Sequence, residues 1–280
     1  MNIRLSKTTC GLRLEREDAV VALADGAWDS VFTDSDPIAF LAQCHERGTP
    51  TGQVEERSVL PPIGNQEVWG AGVTYYRSRD ARMEESADAG GGDFYDRVYA
   101  AERPELFFKS SASRAVGHQQ EIGLRPDSSW IVPEPELTVA VNSEGRIFGY
   151  TVGNDVSSRD IEGANPLYLG QAKVYRGSCA LGPHIHATDE PLPKSTQIEM
   201  TIARGGKEIV SGATSLATMK RSVEELVHYL YRSNVFPYGS LLMTGTGIVP
   251  PNDFTLREGD VVSITIEAIG TLVNTAVVVD

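Results

Sequence analysis

Cysteine is scarce: Cys10, Cys44 and Cys179 are the three in 280 residues, and no two share a CxxC spacing. An odd, scattered set excludes a disulfide framework and a thiolate zinc site, and it fits a reduced cytoplasm. Basic residues are in deficit, with 25 Lys and Arg against 38 Asp and Glu for a net charge of -13. Phosphate binding needs clustered cations, so nucleic acid is not expected as a partner. No apolar run approaches membrane-spanning length, and the opening MNIRLSKTTCGLRL has no apolar leader core. Neither a membrane nor a secretory route is expected. Internal repeats and low-complexity tracts are also missing. What remains is 41% hydrophobic and 22% charged, a globular composition, and the length suffices for one large domain or a small one plus a larger one.

Residues 1–60 read as a small N-terminal domain, with short strands around Leu12–Leu14 and Ala19–Leu23 and one helix in SDPIAFLAQCHERGTP. Asp36 is its expected N-cap, Pro37 fits the first turn and Gly48 the stop. The Pro61-Pro62 pair marks the boundary to residues 61–280. Beyond it the pattern is strand-dominated mixed α/β. Alternating segments are Thr138–Val141, Ile147–Val152, Gln197–Ile202 and Val261–Ile266. A second helix opens at Ser222, with Glu225 in capping-box spacing. SADAGGGDFYD, Ser86–Asp96, reads as a mobile lid or as a plain surface loop.

Chemistry is concentrated in PEPELTVAVNSEGRIFGYTVGNDVSSRD, from Pro133 to Asp160. Glu134 and Glu136 are two apart, so a strand projects both to one face. Pro135 between them lacks an N–H, which places the pair at a strand start or an edge. NSEGR, Asn142–Arg146, is a hairpin turn, so the next strand returns Asp155 to the level of the glutamates. Spacing alone admits two readings, a solvated acidic strand end or a site for a divalent cation that offsets the mutual repulsion. The all-oxygen set favours Mg2+, Mn2+ or Ca2+ over zinc or copper, with positions left open for substrate. TGTG (Thr244–Gly247) is a tight turn or a carboxylate cradle, with Thr246 as the candidate contact. His184 and His186 form an HxH that lacks Cys or His partners, which reads as a surface or core pair. GSCALG is not a nucleophile elbow, and Cys179 reads as a buried small hydrophobe.

Four blocks in order, GAGVTYYRSR, LFFKSSASRAVGH, EPELTVAV…GRIFGYTVGNDVSSRD and LLMTGTGIVP, resemble the fumarylacetoacetate hydrolase superfamily from about Gly70 onward. The resemblance implies a mixed β-roll with a small N-terminal domain, a homodimer or homotetramer, and a divalent ion on Glu134, Glu136 and Asp155. RPELFFK, SSWIVPEPEL and NPLYLGQAKVYRGSCALGP are similar to one branch, whose members remove water from a 2-keto-3-deoxy pentonate to give 2,5-dioxopentanoate. Family hydrolases usually carry a His–Glu pair in the lid segment. The matching VTYYRSRDARMEES has Glu84 and Glu85 but no His, which favours elimination over hydrolysis. Lys173 and Glu105 match residues of the branch and Glu84 sits on the presumed lid. Lys173 can serve as base or stay charged and hold the keto acid, and the favoured division is Lys173 for enolate stabilisation with Glu105 and Glu84 for proton transfer. Arg79 and Lys109 are candidate substrate contacts, with a solvated surface cation as the alternative at each. Rival expectations are an acylpyruvase-type hydrolase or oxaloacetate decarboxylase on the same scaffold, and a non-catalytic keto-acid binder.

Overall fold

The structure, a computed structural model, describes residues 2–23, 27–77 and 98–280. Arg79, Glu84 and the Ser86–Asp96 segment lie outside the described residues. The N-terminal strands are β1 (Ile3–Thr8), β2 (Gly11–Arg16), β3 (Ala19–Leu23) and β4 (Thr49–Pro50), with helices α1 (Ala27–Thr33) and α2 (Pro37–Arg47). Then follow β5 (Glu67–Gly72), β6 (Glu105–Ser111), β7 (Ala115–Val116), β8 (Glu121–Leu124), β9 (Ile131–Val132), β10 (Pro135–Val141), β11 (Ile147–Asp155) and β12 (Ser157–Ser158). Helices α3 (Arg159–Ala164) and α4 (Leu169–Lys173) lead to β13 (Cys179–Ala187), β14 (Gln197–Arg204) and β15 (Lys207–Ser215). Helix α5 (Val223–Tyr231) precedes β16 (Ser240–Met243), β17 (Val261–Ile266) and β18 (Gly270–Val278).

The larger sheet runs β4-β3-β2-β1-β13-β11-β10-β16-β5-β6, with β7 on β13. The smaller runs β15-β14-β17-β18-β8, and β12 pairs with β9. Most ladders are antiparallel; β16–β5, β13–β7 and β18–β8 are parallel. Residues 1–60 join the larger sheet through β1, where Leu5 faces Ile185.

LTVAV in β10 is apolar at nearly every position because both of its faces are covered. Leu137, Val139 and Val141 enter a core shared with Ile198, Met200 and Ile202 of β14, Val262 and Ile264 of β17, and Leu226 and Leu230 of α5. On the other face Ala140 joins Phe148, Leu241 and Met243 against Trp28, Val31, Phe32 and Leu41 of α1 and α2. Even-numbered positions of β10 therefore share a face, and Glu136 extends that row beyond the apolar part.

Helix punctuation follows the sequence with two differences. Asp36 accepts from the Ala39 N–H at 3.2 Å, and Pro37 opens α2. Gly48 ends α2 in extended backbone, φ −69°, so no left-handed turn calls for glycine there. Its role is close packing, since a Cβ would lie 2.6 Å from Val21 Cγ2. Ser222 accepts from Glu225 N–H at 3.1 Å, but the Glu225 carboxylate turns to Arg221 at 2.6 Å and leaves the box half closed. β1 lies outside the strands expected from sequence, and it buries Ile3 and Leu5.

Asn142 holds the hairpin that sets the β10–β11 register. Its Oδ1 accepts from the Glu144 and Arg146 N–H groups at 3.1 and 2.8 Å, and its Nδ2 donates to Asp34 O at 2.8 Å. Asn142→Ala removes three part-buried hydrogen bonds made by one buried side chain and should cost about 2–3 kcal/mol in urea unfolding. An unshifted midpoint would contradict the hairpin's role.

The HxH pair lies on β13, where His186 sits opposite Arg4. Burial, then Arg4 and His186, push the His184 imidazole down from 6.5 to about 4. The unfolded chain therefore binds more protons than the folded one between these values. Stability from His184 is present above pH 6.5 and lost as pH falls toward 4, by about 3 kcal/mol at most. Unfolding free energy should thus fall less steeply from pH 6.5 to 5 in His184→Gln than in the unmodified protein. Parallel pH curves for the two proteins would rule this out.

Candidate metal and active site

The hairpin register brings the three carboxylates together. Pro135 pairs with Asn154 and Glu136 with Gly153, and the Asp155 N–H donates to Glu134 O at 3.0 Å. Asp155 thereby comes level with Glu134. Pro135 is the first residue of a central strand, flanked by β11 and β16, so its missing N–H marks a strand start and not an edge. Glu134, Glu136 and Asp155 are 4%, 2% and 1% exposed, which removes the reading of a solvated strand end. One oxygen from each lies within 4.8 Å of the others. Among the described residues this is the one group of three or more His, Cys, Asp or Glu side chains close enough to share an ion.

Cations from distant parts of the chain meet two of the carboxylates. Lys173, the last residue of α4, donates from Nζ to Glu134 Oε2 and Asp155 Oδ2, each at 2.8 Å, and to Ser157 Oγ at 2.6 Å. Arg159, the first residue of α3, approaches Glu134 Oε1 at 2.6 Å. Lys109 of β6 pairs with Asp155 Oδ1 and donates to Val156 O at 3.0 Å and Lys173 O at 2.6 Å.

Glu136 is held by an amide: Gly245 N–H donates to its Oε2 at 2.6 Å. Burial, followed by the Asp155 and Glu134 charges, holds the Glu136 carboxyl well above its usual range. Gly245 has φ +89°, and a Cβ there would collide with Thr74 Oγ1 and approach Ala71 O at 2.9 Å. Thr74 Oγ1 in turn donates to Thr244 O at 2.6 Å. Tyr75, buried next in the chain, has its phenol pushed up by burial and then by Glu136, so it stays neutral.

The donor set fits a hard divalent cation. Its three carboxylates converge in a buried place, all their donors are oxygen, and the like-charge penalty at Glu136 is the one a dication offsets. Cys179 faces Asp155 across the β11–β13 ladder. Burial pushes its thiol up to about 12, so it stays a neutral packing group and brings no thiolate to the set.

β6 turns Glu105, Phe107 and Lys109 to one face. Lys109 reaches Asp155, and the Phe107 ring centroid lies 5.5 Å from Lys173 Nζ. Glu105 lines a cavity of about 460 Å³ together with Glu162, Asn165 and Leu167. Gly72 leaves room for it, because a Cβ there would collide with the Glu105 carboxylate. Thr246 is buried in the turn after Gly245, and its Oγ1 lies 3.1 Å from both the Ile248 O and N. The structure thus brings Glu134, Glu136, Asp155, Lys173 and Lys109 into one cluster, while Glu105 lines a cavity whose walls include none of these five. Sequence reasoning missed Arg159, Ser157 and Glu162, although all three follow Asp155 within seven residues. Charged residues opening a helix ordinarily signal a solvated face, and only tertiary packing places these inside.

Known proteins supply the context for this geometry. The family description "Fumarylacetoacetate (FAA) hydrolase C-terminal" matches residues 68–277. A 2-dehydro-3-deoxy-D-arabinonate dehydratase of Saccharolobus solfataricus is 46% identical over 224 residues, 79% of this chain and 75% of that protein. A probable 2-keto-3-deoxyxylonate dehydratase of Haloferax volcanii is 50% identical over 226 residues, 80% of this chain and 76% of its own length. A solved 2-keto-3-deoxy-D-arabinonate dehydratase, complexed with magnesium and 2,5-dioxopentanoate, superposes with a TM-score of 0.82 at 35% identity. That superposition covers 100% of this chain and 99% of the other. The β10–β11 hairpin that carries the carboxylates lies inside the matched span, and the chain belongs to the fumarylacetoacetate hydrolase family.

Proposed function

We propose that the protein is a metal-dependent hydro-lyase converting 2-keto-3-deoxy-D-arabinonate (2-dehydro-3-deoxy-D-pentonate) to 2,5-dioxopentanoate and water. The observation that carries the reading is the buried carboxylate trio with Lys173 bonded into it, in a chain 46% and 50% identical to two dehydratases. Glu134, Glu136 and Asp155 would hold Mg2+, with Mn2+ or Ca2+ as alternatives. When bound, such an ion supplies Lewis-acid polarisation to the carboxylate and keto oxygens of a 2-keto acid.

The residues of the chain then divide the proton work. A carboxylate takes a proton from C3, and Lys173, beside the cluster, stabilises the charge that develops on the keto oxygen. A second acid protonates the C4 hydroxyl, which leaves as water and forms the C3–C4 double bond. Loss of a C5 proton and reprotonation at C3 shift the double bond to an enol at C4–C5. Protonation at C4 completes the aldehyde. Glu105, on the cavity wall, and Glu84 fill the acid and base roles; Thr246 and Arg79 fit the substrate carboxylate. Residues 1–60 act as a small N-terminal unit built onto the 61–280 catalytic unit through the β1–β13 ladder. Scattered, unpaired cysteines support a cytoplasmic setting, and the family resemblance supports a homodimer or homotetramer.

Glu136→Gln removes a buried like charge along with a ligand. Calorimetry should show Mg2+ affinity falling by about 100-fold, while the melting temperature holds or rises. Unchanged affinity would remove Glu136 from the metal site.

With Mg2+ and 2-keto-3-deoxy-D-arabinonate, mass spectrometry should show 2,5-dioxopentanoate with the five-carbon skeleton intact. Lys173→Met should lower kcat by about 100-fold or more, because its contact strengthens as enolate charge develops. Faster cleavage of acylpyruvates at equal concentration would overturn the dehydratase reading.

A further inference from the structure

Lys109 is one of the largest side chains that is fully buried, at 0% exposure. An ammonium has three N–H donors and no acceptor. Its three partners here are Val156 O at 3.0 Å, Lys173 O at 2.6 Å and the carboxylate oxygen Asp155 Oδ1. Two donors are thus taken by backbone carbonyls, the ammonium lies in ion-pair contact with Asp155, and no solvent-facing surface remains on the side chain. Two of these partners are backbone carbonyls, which a cation on the carboxylates leaves in place, whereas Lys173 is held by Glu134 and Asp155, the proposed metal ligands themselves.

The three partners are what make the arrangement informative. Asp155 ends β11, Val156 links it to β12, and Lys173 ends α4. Lys173 reaches back with its own Nζ to Asp155 Oδ2 and to Ser157 Oγ. Asp155 is thus gripped on one oxygen by Lys109 and on the other by Lys173, while Lys109 also fixes the backbone from which Lys173 extends. β6 presents Lys109 at the end of the Glu105, Phe107, Lys109 row, and Phe107 packs beneath Lys173. Two residues of one strand face thereby set both the root and the tip of Lys173.

We propose that Lys109 is a positioning residue, which orients Asp155 and Lys173 for enolate formation and makes no contact with the 2-keto acid. This rests on the proposed reading of Lys173 as the enolate-stabilising group. A burial cost of several kcal/mol for an ammonium is offset here by two carbonyls and the Asp155 carboxylate around it. Groups that act as one unit show non-additive kinetics, and that supplies the test.

The test is a cycle of Lys109→Met, Lys173→Met and the double variant, each with saturating Mg2+. Enolisation is read as solvent-deuterium exchange at C3 of 2-oxobutyrate by NMR, and affinity for 2-oxobutyrate by calorimetry. Exchange at C3 needs no dehydration, so a protein that exchanges this proton but leaves the pentonate intact would refute the proposed reaction without touching Lys109. Lys109→Met should slow exchange by about 100-fold with 2-oxobutyrate affinity changed less than threefold. Adding it to Lys173→Met should cost less than threefold more. Should Lys109→Met fail to fold, Lys109→Gln keeps two N–H donors and carries the same expectation with a smaller loss. Multiplicative losses in the double variant, or a tenfold loss of 2-oxobutyrate affinity on changing Lys109 alone, would overturn the proposal.

Discussion

Mutual repulsion among Glu134, Glu136 and Asp155 is the constraint around which this molecule is built. Three carboxylate oxygens within 4.8 Å, all withdrawn from water, form an arrangement that burial and like charge both oppose. Cations from three separate elements answer two of the acids: Lys109 of β6, Arg159 of α3 and Lys173 of α4. The third, Glu136, takes an amide from a glycine turn and keeps a raised pKa. A divalent ion at this place relieves the remaining repulsion, so the charge problem and the metal site are two descriptions of one arrangement.

The scaffold serves that cluster through rigidity. β10 is buried along its whole length, with one core toward β14, β17 and α5 and another toward α1 and α2. A strand packed on both faces cannot slip its register without exchanging the two rows of side chains. Asn142 ties the hairpin turn to Asp34, so the N-terminal helices also brace the strand pair that returns Asp155. Close approach does the rest: Gly245 and Gly72 leave space for Thr74 Oγ1 and for the Glu105 carboxylate.

Much of this was legible because it is local. Two-residue parity placed Glu134 and Glu136 on one face, and the NSEGR turn implied that Asp155 would come back beside them. Asp36 and Ser222 announce helix starts through side chains that cap their own N–H groups. Gly48 does follow the last turn of α2, but its reason is the Val21 side chain against it, a contact no local rule contains. Arg159, Glu162 and Ser157 went unremarked, since a short polar run opening a helix looks the same whether it faces water or an acid cluster.

By itself the sequence determined the strand-dominated class, the acidic trio and its oxygen-only chemistry, because those depend on residue type and spacing within some twenty positions. Only the tertiary structure decided which cations meet the trio, that its side chains are buried, and that Lys109 is spent on Asp155 and two carbonyls. Those contacts join residues 18 to 64 positions apart. Their pairing follows from how β6, α3 and α4 pack around one hairpin, since a charge's partner is set by position in space and its worth by the exclusion of water.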